Sequence, residues 1–473
     1  LSPIVQQIIL EMLKEIDESV MEMVAGKLDL SQFILTNQEN FREHLCQLVG
    51  QALEQVDQAI MDSAYRRRFY SVKDKRERTY LASIGSLVFT RRYYQDKRTG
   101  EHVFLLDELV GIEKRSRLSL DLKAKLLEDA AQMSYKQSGD RNGGGTKPSK
   151  STVMHVVHRD GKAISALDQL KDQPMPVPET LFVEADEDHV PHQDGTNHFL
   201  KMVYVHEGYR SVGKKFQLIR PFYITGEYPG TAGTEEIWQT TLDCIMKQYG
   251  GQMPKRFFLA GDGASWIKTG ADFLPNCTVV YDKFHLRKAC KQAAIGVPGN
   301  LGDILMHWAL QGHSSYLNDY FRVRLNDPQL RSSERKAVRQ ARTLIHKNWK
   351  QIQANNDPDF HGTSAEGHIS HMLSERFSSR PMGWSQTGTD NLSQTRVYVL
   401  KGGNVFERLE AEAKERHQTK IDIRVDDRIK IQFKSAATKY SQAAQAAFVE
   451  LASGKHRGWQ YGITHQLYVE KAF

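Results

Sequence analysis

The sequence predicts an α/β protein: a mixed-sheet core domain with a helical insertion, preceded by helical and β-hairpin regions. Three observations predict it. Residues 180–281 read strand, strand, strand, helix, strand, helix, strand, a meander followed by crossover units. Three acidic residues, Asp186, Asp262 and Glu366, stand at or near the ends of separate elements of that pattern or of a later helix. Basic residues and turn signals crowd the chain ahead of it, where helical spacing gives way to alternation.

At 473 residues the chain exceeds what one core usually supports, so several domains are expected. The boundaries read as a helical region over 1–75, a β-hairpin plus helix-turn-helix region over 76–172, and a core over 179–290. A helical insertion over 291–360, an acid-bearing helix over 361–400 and a mostly helical end over 401–473 follow. No run approaches the ~18 apolar residues of a membrane span, which argues against an integral membrane protein. The start, Leu1-Ser-Pro-Ile-Val5, lacks a basic secretory n-region. Four cysteines without a Cys-x-x-Cys pair argue against a disulfide framework or a zinc finger, and a reducing cytoplasm is expected.

Ile4, Ile8, Ile9, Met12 and Leu13 recur at helical steps, as do Phe41, Leu45, Leu48 and Val49. Cations then cluster at Arg66-Arg-Arg68, Lys73–Arg78, Arg91, Arg92, Lys97 and Arg98, which suits either a phosphate backbone or a solvated face. Alternation over Leu87–Tyr94 and His102–Leu106 predicts a hairpin turning at Gly100 with a basic tip. Leu122–Met133 returns to helical spacing, and a glycine-rich bend at Gly143-Gly-Gly145 leads to a second helix opened by Pro148-Ser149. Its apolar stripe is Val153, Val156 and Val157, so Lys150, Ser151, His155 and Arg159 face outward, with Lys147 just ahead. That is a helix-turn-helix pattern in which the second helix would read a DNA groove. A proline-rich joint, Asp172–Glu179, closes the region.

In the core, strands are expected at Leu181–Val190, Phe199–Val205 and Lys215–Arg220, then a helix over Thr234–Tyr249. A strand at Arg256–Ala260, a helix from Ala264 and a strand at Cys277–Tyr281 complete a ribonuclease-H-like arrangement. Its first and fourth strands are neighbours, which would bring Asp186 and Asp262 together. Carboxylates so gathered suit a pair of magnesium ions about 3.5–4 Å apart, which phosphodiester chemistry uses. Each acid also has a plainer reading. Asp188 shares the parity of Asp186 and competes with it, and Glu184 and Glu187 add ambiguity. Asp262 suits the N-cap of a helix, and Thr363-Ser-Ala-Glu366 suits a capping box.

Phe182-Val-Glu-Ala-Asp-Glu-Asp-His-Val190, Gly261-Asp-Gly-Ala-Ser-Trp-Ile267, Asp282-Lys-Phe-His-Leu-Arg-Lys288 and Glu366–His371 through Arg376–Trp384 resemble bacterial insertion-sequence transposases of the ISLre group. These are distant relatives of the Mutator-like DDE transposases. Arg78–Leu81 through Phe104–Asp107, and Met133-Ser-Tyr135, carry the resemblance further, so that it spans roughly residues 76–400. It implies magnesium-dependent cleavage and transfer of DNA strands at element ends, with manganese as a substitute and Asp186, Asp262 and Glu366 as ligands. It also implies support from Asp282 and His285, for which a structural histidine is the competing reading. The partners would be double-stranded DNA, both element ends and target, and a second copy of the chain or a larger assembly. The setting would be a bacterial cytoplasm, at the nucleoid, with no membrane.

Other residues stay open between two roles. His368 and His371, one turn apart, suit zinc or packing and DNA contact. Arg376 and Arg380 suit a phosphate-binding row. Trp384 suits base stacking or burial. Two competing functions remain. Asp186, Asp188, His189 and His192 are dense enough for a metallohydrolase of phosphate esters or a nuclease unconnected with transposition, and a catalytically silent DNA-binding regulator is the other.

Overall fold

The computed structural model describes residues 3–213, 215–380 and 382–416; the side chains of Pro3, Lys215, Glu366 and Arg416 are outside the description. Beyond residue 416, the helical end expected over 401–473 lies outside the described residues. Among the described residues, one compact unit takes in 3–123, 139–148 and 410–416, and another takes in 124–138 and 149–409.

The first unit opens with two long helices, α1 (Pro3–Val24) and α2 (Leu30–Asp62), then the short α3 (Ala64–Phe69). α2 starts at a capping box: Asp29 accepts the Gln32 N–H while the Gln32 side chain accepts the Asp29 N–H. A sheet of β1 (Tyr70–Ala82), β2 (Gly85–Asp96) and β3 (His102–Val103) follows, then α4 (Leu105–Leu109). The expected turn at Gly100 is present between β2 and β3. The principal hairpin, however, is β1 with β2, turning at Ser83-Ile84. Its first strand carries the cation run: residues 72–77 are all exposed, so that the alternation which would reveal a strand is absent there.

Three further helices are α5 (Leu120–Ala130), α6 (Tyr135–Arg141) and α7 (Lys150–Arg159). α7 buries Val153, Val156 and Val157, as its stripe predicts, and Ser149 caps it by accepting the Thr152 N–H.

The second unit is built on β4 (Thr180–Pro191), β5 (Asn197–His206) and, after a small separate ribbon of β6 (Tyr209–Val212) and β7 (Lys215–Leu218), β8 (Phe222–Gly226). The third core strand is therefore β8; the segment expected to supply it, from Lys215, pairs with β6 instead. Then come α8 (Gly230–Gln248), β9 (Arg256–Gly261), α9 (Ser265–Phe273) and β10 (Cys277–Tyr281). The sheet order is β10-β9-β4-β5-β8, with β4, β9 and β10 parallel and β5 and β8 antiparallel to their neighbours.

Parity decides which face each side chain takes. Leu181, Val183 and Ala185 of β4 join Val203, Val205, Phe257 and Leu259 in a core under α8 and α9. There the Trp238 indole N–H donates to the Trp266 carbonyl at 2.7 Å. Gly270 makes room for that ring, since a Cβ at Gly270 would stand 2.5 Å from it. Phe182, Phe258, Ala260 and Val280 take the opposite face with Phe360.

Five helices follow, α10 (Lys283–Ala293), α11 (Leu301–Leu310), α12 (Ser314–Leu325), α13 (Ser332–Lys347) and α14 (Trp349–Gln353), the last four within the stretch 291–360 read as an insertion. They share a core of their own around Leu286, Phe321, Val338 and Ile352. The chain returns as α15 (Ala365–Ile369), a π-helical turn over 370–374, α16 (Glu375–Phe377), α17 (Gln386–Leu400) and α18 (Val405–Arg416).

Candidate active site

β4 and β9 run parallel and pair up to Glu184–Ala260. Asp186 and Asp262 each lie two residues beyond that pair, Asp186 within β4 and Asp262 just past β9, so they share a level and a parity. Asp282 extends the row: it follows the last β9–β10 pair, Gly261–Tyr281, and its N–H donates to the Gly261 carbonyl at 2.9 Å. Asp262 and Asp282 thus stand just beyond the carboxyl ends of β9 and β10, where sites of open α/β sheets form, level with Asp186 in the middle of the longer β4.

Each is held locally. Asp262 Oδ1 accepts the Ala264 N–H at 2.8 Å, which realises part of the N-cap reading. Asp282 caps α10, accepting from the Phe284 and His285 N–H groups at 2.6 and 3.2 Å. Asp186 is 7% exposed; its Oδ1 accepts the Glu187 N–H, and its Oδ2 lies 3.7 Å from His285 Nε2. Burial works against charge on His285, but Asp186, then Asp282 and Asp262, outweigh it and raise the imidazole above its ordinary value.

The face carrying Asp186 is the one that the acid-bearing segment meets. Glu184 Oε2 accepts the Ser364 N–H at 2.7 Å, and Asp188 Oδ2 accepts the Ser378 hydroxyl at 2.7 Å. Asp186 lies between them on β4, and Glu366 lies between Ser364 and Ser378 on the chain, in α15. Glu366's backbone is described and its side chain is not. Asp188 is engaged with Ser378, whereas Asp186 shares the level of Asp262, so Asp186 has the better claim to be the first acid. Among the described residues, Asp186, Asp262 and Asp282 do not draw within 4.8 Å of one another as one group; His192, His198 and Glu227 do. Two ions that share ligands do not need all the carboxylates around one centre. The all-oxygen donor set fits magnesium.

Glu187 belongs to the other face. Its Oε2 accepts the Trp266 indole N–H at 2.7 Å. Burial, with Asp262 and Asp186 adding to it against that bond, raises its carboxyl above the ordinary value. Glu184, by contrast, is held low: burial opposes its charge, but His206, Tyr204 and the Ser364 N–H more than offset it.

The expected DNA-facing residues divide. Lys147, Lys150, Ser151, His155, Arg159 and Arg380 are exposed. Arg91, Arg92 and Arg376 are turned inward, contrary to the expectation of a phosphate-facing role. Arg91, with Arg78, pairs with Asp107 and covers the Phe104 ring at 3.4 Å, and Arg92 pairs with Asp57 at 2.7 Å. Arg376 is 3% exposed, donates to the Ala130 carbonyl and packs over Trp384. Trp384 is itself buried, its indole N–H donating to the Phe377 carbonyl at 3.0 Å. His368 meets the Tyr223 hydroxyl at 3.1 Å, while His371 is exposed beside Glu375, so the two do not form a zinc pair. His189 packs edge-on against Phe199 and His192 stacks on His198, which separates both from Asp186. The His192–His198–Glu227 group has no signal in the sequence, because its members come from β4–β5 and from the end of β8.

The model of a family described as "Uncharacterised protein family (UPF0236)" matches residues 26–416. A UPF0236 protein of Caldanaerobacter subterraneus subsp. tengcongensis is 30% identical over 358 residues, 75% of this chain and 74% of its own. Another from that organism, whose name joins eleven locus labels, is 29% identical over 356 residues, 75% of this chain and 74% of its own. A "UPF0236 protein in vanSb 3'region" of Streptococcus gallolyticus is 27% identical over 206 residues, 42% of this chain and 44% of its own. No helix among the described residues is long and apolar enough to cross a membrane.

Proposed function

The chain belongs to the UPF0236 family, and we propose that it is a DDE transposase that cuts and joins DNA at the ends of a mobile element. The observation that carries the reading is the shared level and parity of Asp186 and Asp262, with the segment bearing Glu366 bonded to the face of β4 that carries Asp186. A three-strand meander whose first strand neighbours the fourth is what a ribonuclease-H-like sheet requires, and it supports the finer fold reading. The many loci joined in one relative's name are what a sequence that copies itself would leave, and they support mobility.

Asp186, Asp262 and Glu366 would hold magnesium or manganese ions, which supply Lewis-acid activation of the attacking and leaving oxygens. The chain's own groups prepare that centre. Asp282 fixes the start of α10, which brings His285 Nε2 to 3.7 Å from Asp186 Oδ2. Trp266 holds Glu187 on the other face of β4. The exposed Lys147, Lys150, Ser151, His155, Arg159 and Arg380 would contact double-stranded DNA, and pairing two ends would call for at least two copies of the chain.

The test is incubation of the protein with labelled DNA from either side of its own reading frame, with magnesium or manganese. Nicked and joined products are expected, and Asp262→Ala should abolish them while a gel shift still shows binding. Retained cleavage by Asp262→Ala, or no metal-dependent product from the unaltered protein, would overturn the proposal.

A further inference from the structure

Glu184 sits two residues before Asp186 on β4, on the same face, and is 1% exposed. Its Oε2 accepts the Ser364 N–H at 2.7 Å, and its Oε1 accepts the Tyr209 hydroxyl at 2.9 Å. His206 Nε2 is 3.0 Å from the same Oε1. A carboxylate oxygen only accepts, so Nε2 carries the N–H that donates to Glu184, while Nδ1 lies 3.1 Å from the Gly208 nitrogen and 3.3 Å from its carbonyl. The Ser364 hydroxyl reaches both Tyr204, at 2.9 Å, and Glu184 Oε1, at 3.4 Å. One buried carboxylate therefore joins β4, β5, β6 and the residue ahead of α15.

Packing alone does not call for an ion at this place, since apolar side chains of similar volume often serve a core as well. What a carboxylate with four donors adds is a fixed position for each donor. Ser364 is two residues before Glu366, and Glu184 is two residues before Asp186. The Glu184–Ser364 bond is thus a short route between two of the three acids, with four residues between them: Ala185, Glu184, Ser364 and Ala365. We propose that Glu184 is a positioning residue: through Ser364, and braced by His206 and Tyr209, it sets the acid-bearing helix over β4. This rests on the metal-centre reading above.

Manganese binding measured by calorimetry, alongside melting of the metal-free protein, tests it. Glu184→Gln keeps the shape but offers an amide N–H₂ where donors already point. It should weaken manganese binding by about tenfold or more, as loss of an outer-shell partner does. Tyr209→Phe removes one donor at the rim and should weaken binding by roughly threefold, the worth of one hydrogen bond; it decides the matter if Glu184→Gln does not fold. Manganese bound as tightly as by the unaltered protein, with only a lower melting temperature, would reduce Glu184 to a stability role and overturn the proposal. Asp262→Asn separates the two ideas: if it too leaves manganese binding unchanged, the metal centre itself is refuted.

Discussion

Gly263→Ala probes how the turn that carries Asp262 is built. Gly263 stands between Asp262 and α9 at φ +83°, a conformation that costs a residue with a side chain about 1–2 kcal/mol. A Cβ there would also lie 2.7 Å from Asn348 Oδ1 and 2.9 Å from the Tyr281 ring. Neither neighbour yields readily: Tyr281 is 1% exposed, and the same Asn348 oxygen accepts the Lys268 ammonium at 2.7 Å. Such overpacking adds about 1–3 kcal/mol. Gly195 provides the control, with φ +80° and nothing within 4 Å of an added Cβ. Gly195→Ala therefore carries the conformational term alone, and Gly263→Ala carries both. At about 2–4 °C per kcal/mol for a domain of this size, Gly263→Ala should melt roughly 6 °C below Gly195→Ala. Thermal melts followed by circular dichroism measure the difference. Equal melting temperatures would refute the crowded turn and, with it, the account of how Asp262 is held.

Three other predictions concern charge. Burial, together with Glu227 and Glu236, raises the Asp390 carboxyl from 3.8 to about 6. The folded protein then holds that proton more tightly than the unfolded chain, so the contribution to stability is full below pH 3.8 and is lost as pH rises to about 6. The loss is on the order of 3 kcal/mol at most, and urea titrations at successive pH values should show Asp390→Asn flattening it; an unchanged slope would contradict the raised carboxyl. Lys150→Ala or Arg159→Ala should weaken DNA binding and reduce its salt dependence by about one phosphate contact. Arg91→Ala, which breaks a buried pair with Asp107, should instead lower stability by about 3 kcal/mol. Gel shifts at several salt concentrations and denaturation curves distinguish the two behaviours, and the reverse pattern would count against the assignment of exposed and inward cations.

Much of the core was legible because its strands carry strong local patterns. The apolar runs of β9 and β10 and the length of β4 and β5 mark them without help from distant residues. From strand adjacency alone Asp186 and Asp262 were expected to meet, and their common level bears out that adjacency. β8 carries no strand signal, because its five buried residues behind Pro221 show no period, whereas the exposed ribbon before it does. β1 was hidden by its charge, since an exposed hairpin strand does not alternate in polarity. The fates of Arg91, Arg92 and Arg376 depend on Asp107, Asp57 and the Ala130 carbonyl, partners that no local spacing reveals. Glu184 has the parity of Asp186, but its partners at 206, 209 and 364 come together only in the fold.

Electron paramagnetic resonance of the protein loaded with manganese, in the presence of DNA from the flanks of its reading frame, measures the convergence of the acids most directly. The account predicts two spin-coupled ions per chain, with the coupling lost in Asp186→Asn, Asp262→Asn and Glu366→Gln. Isolated ions, or a coupled pair that survives Glu366→Gln, would contradict it.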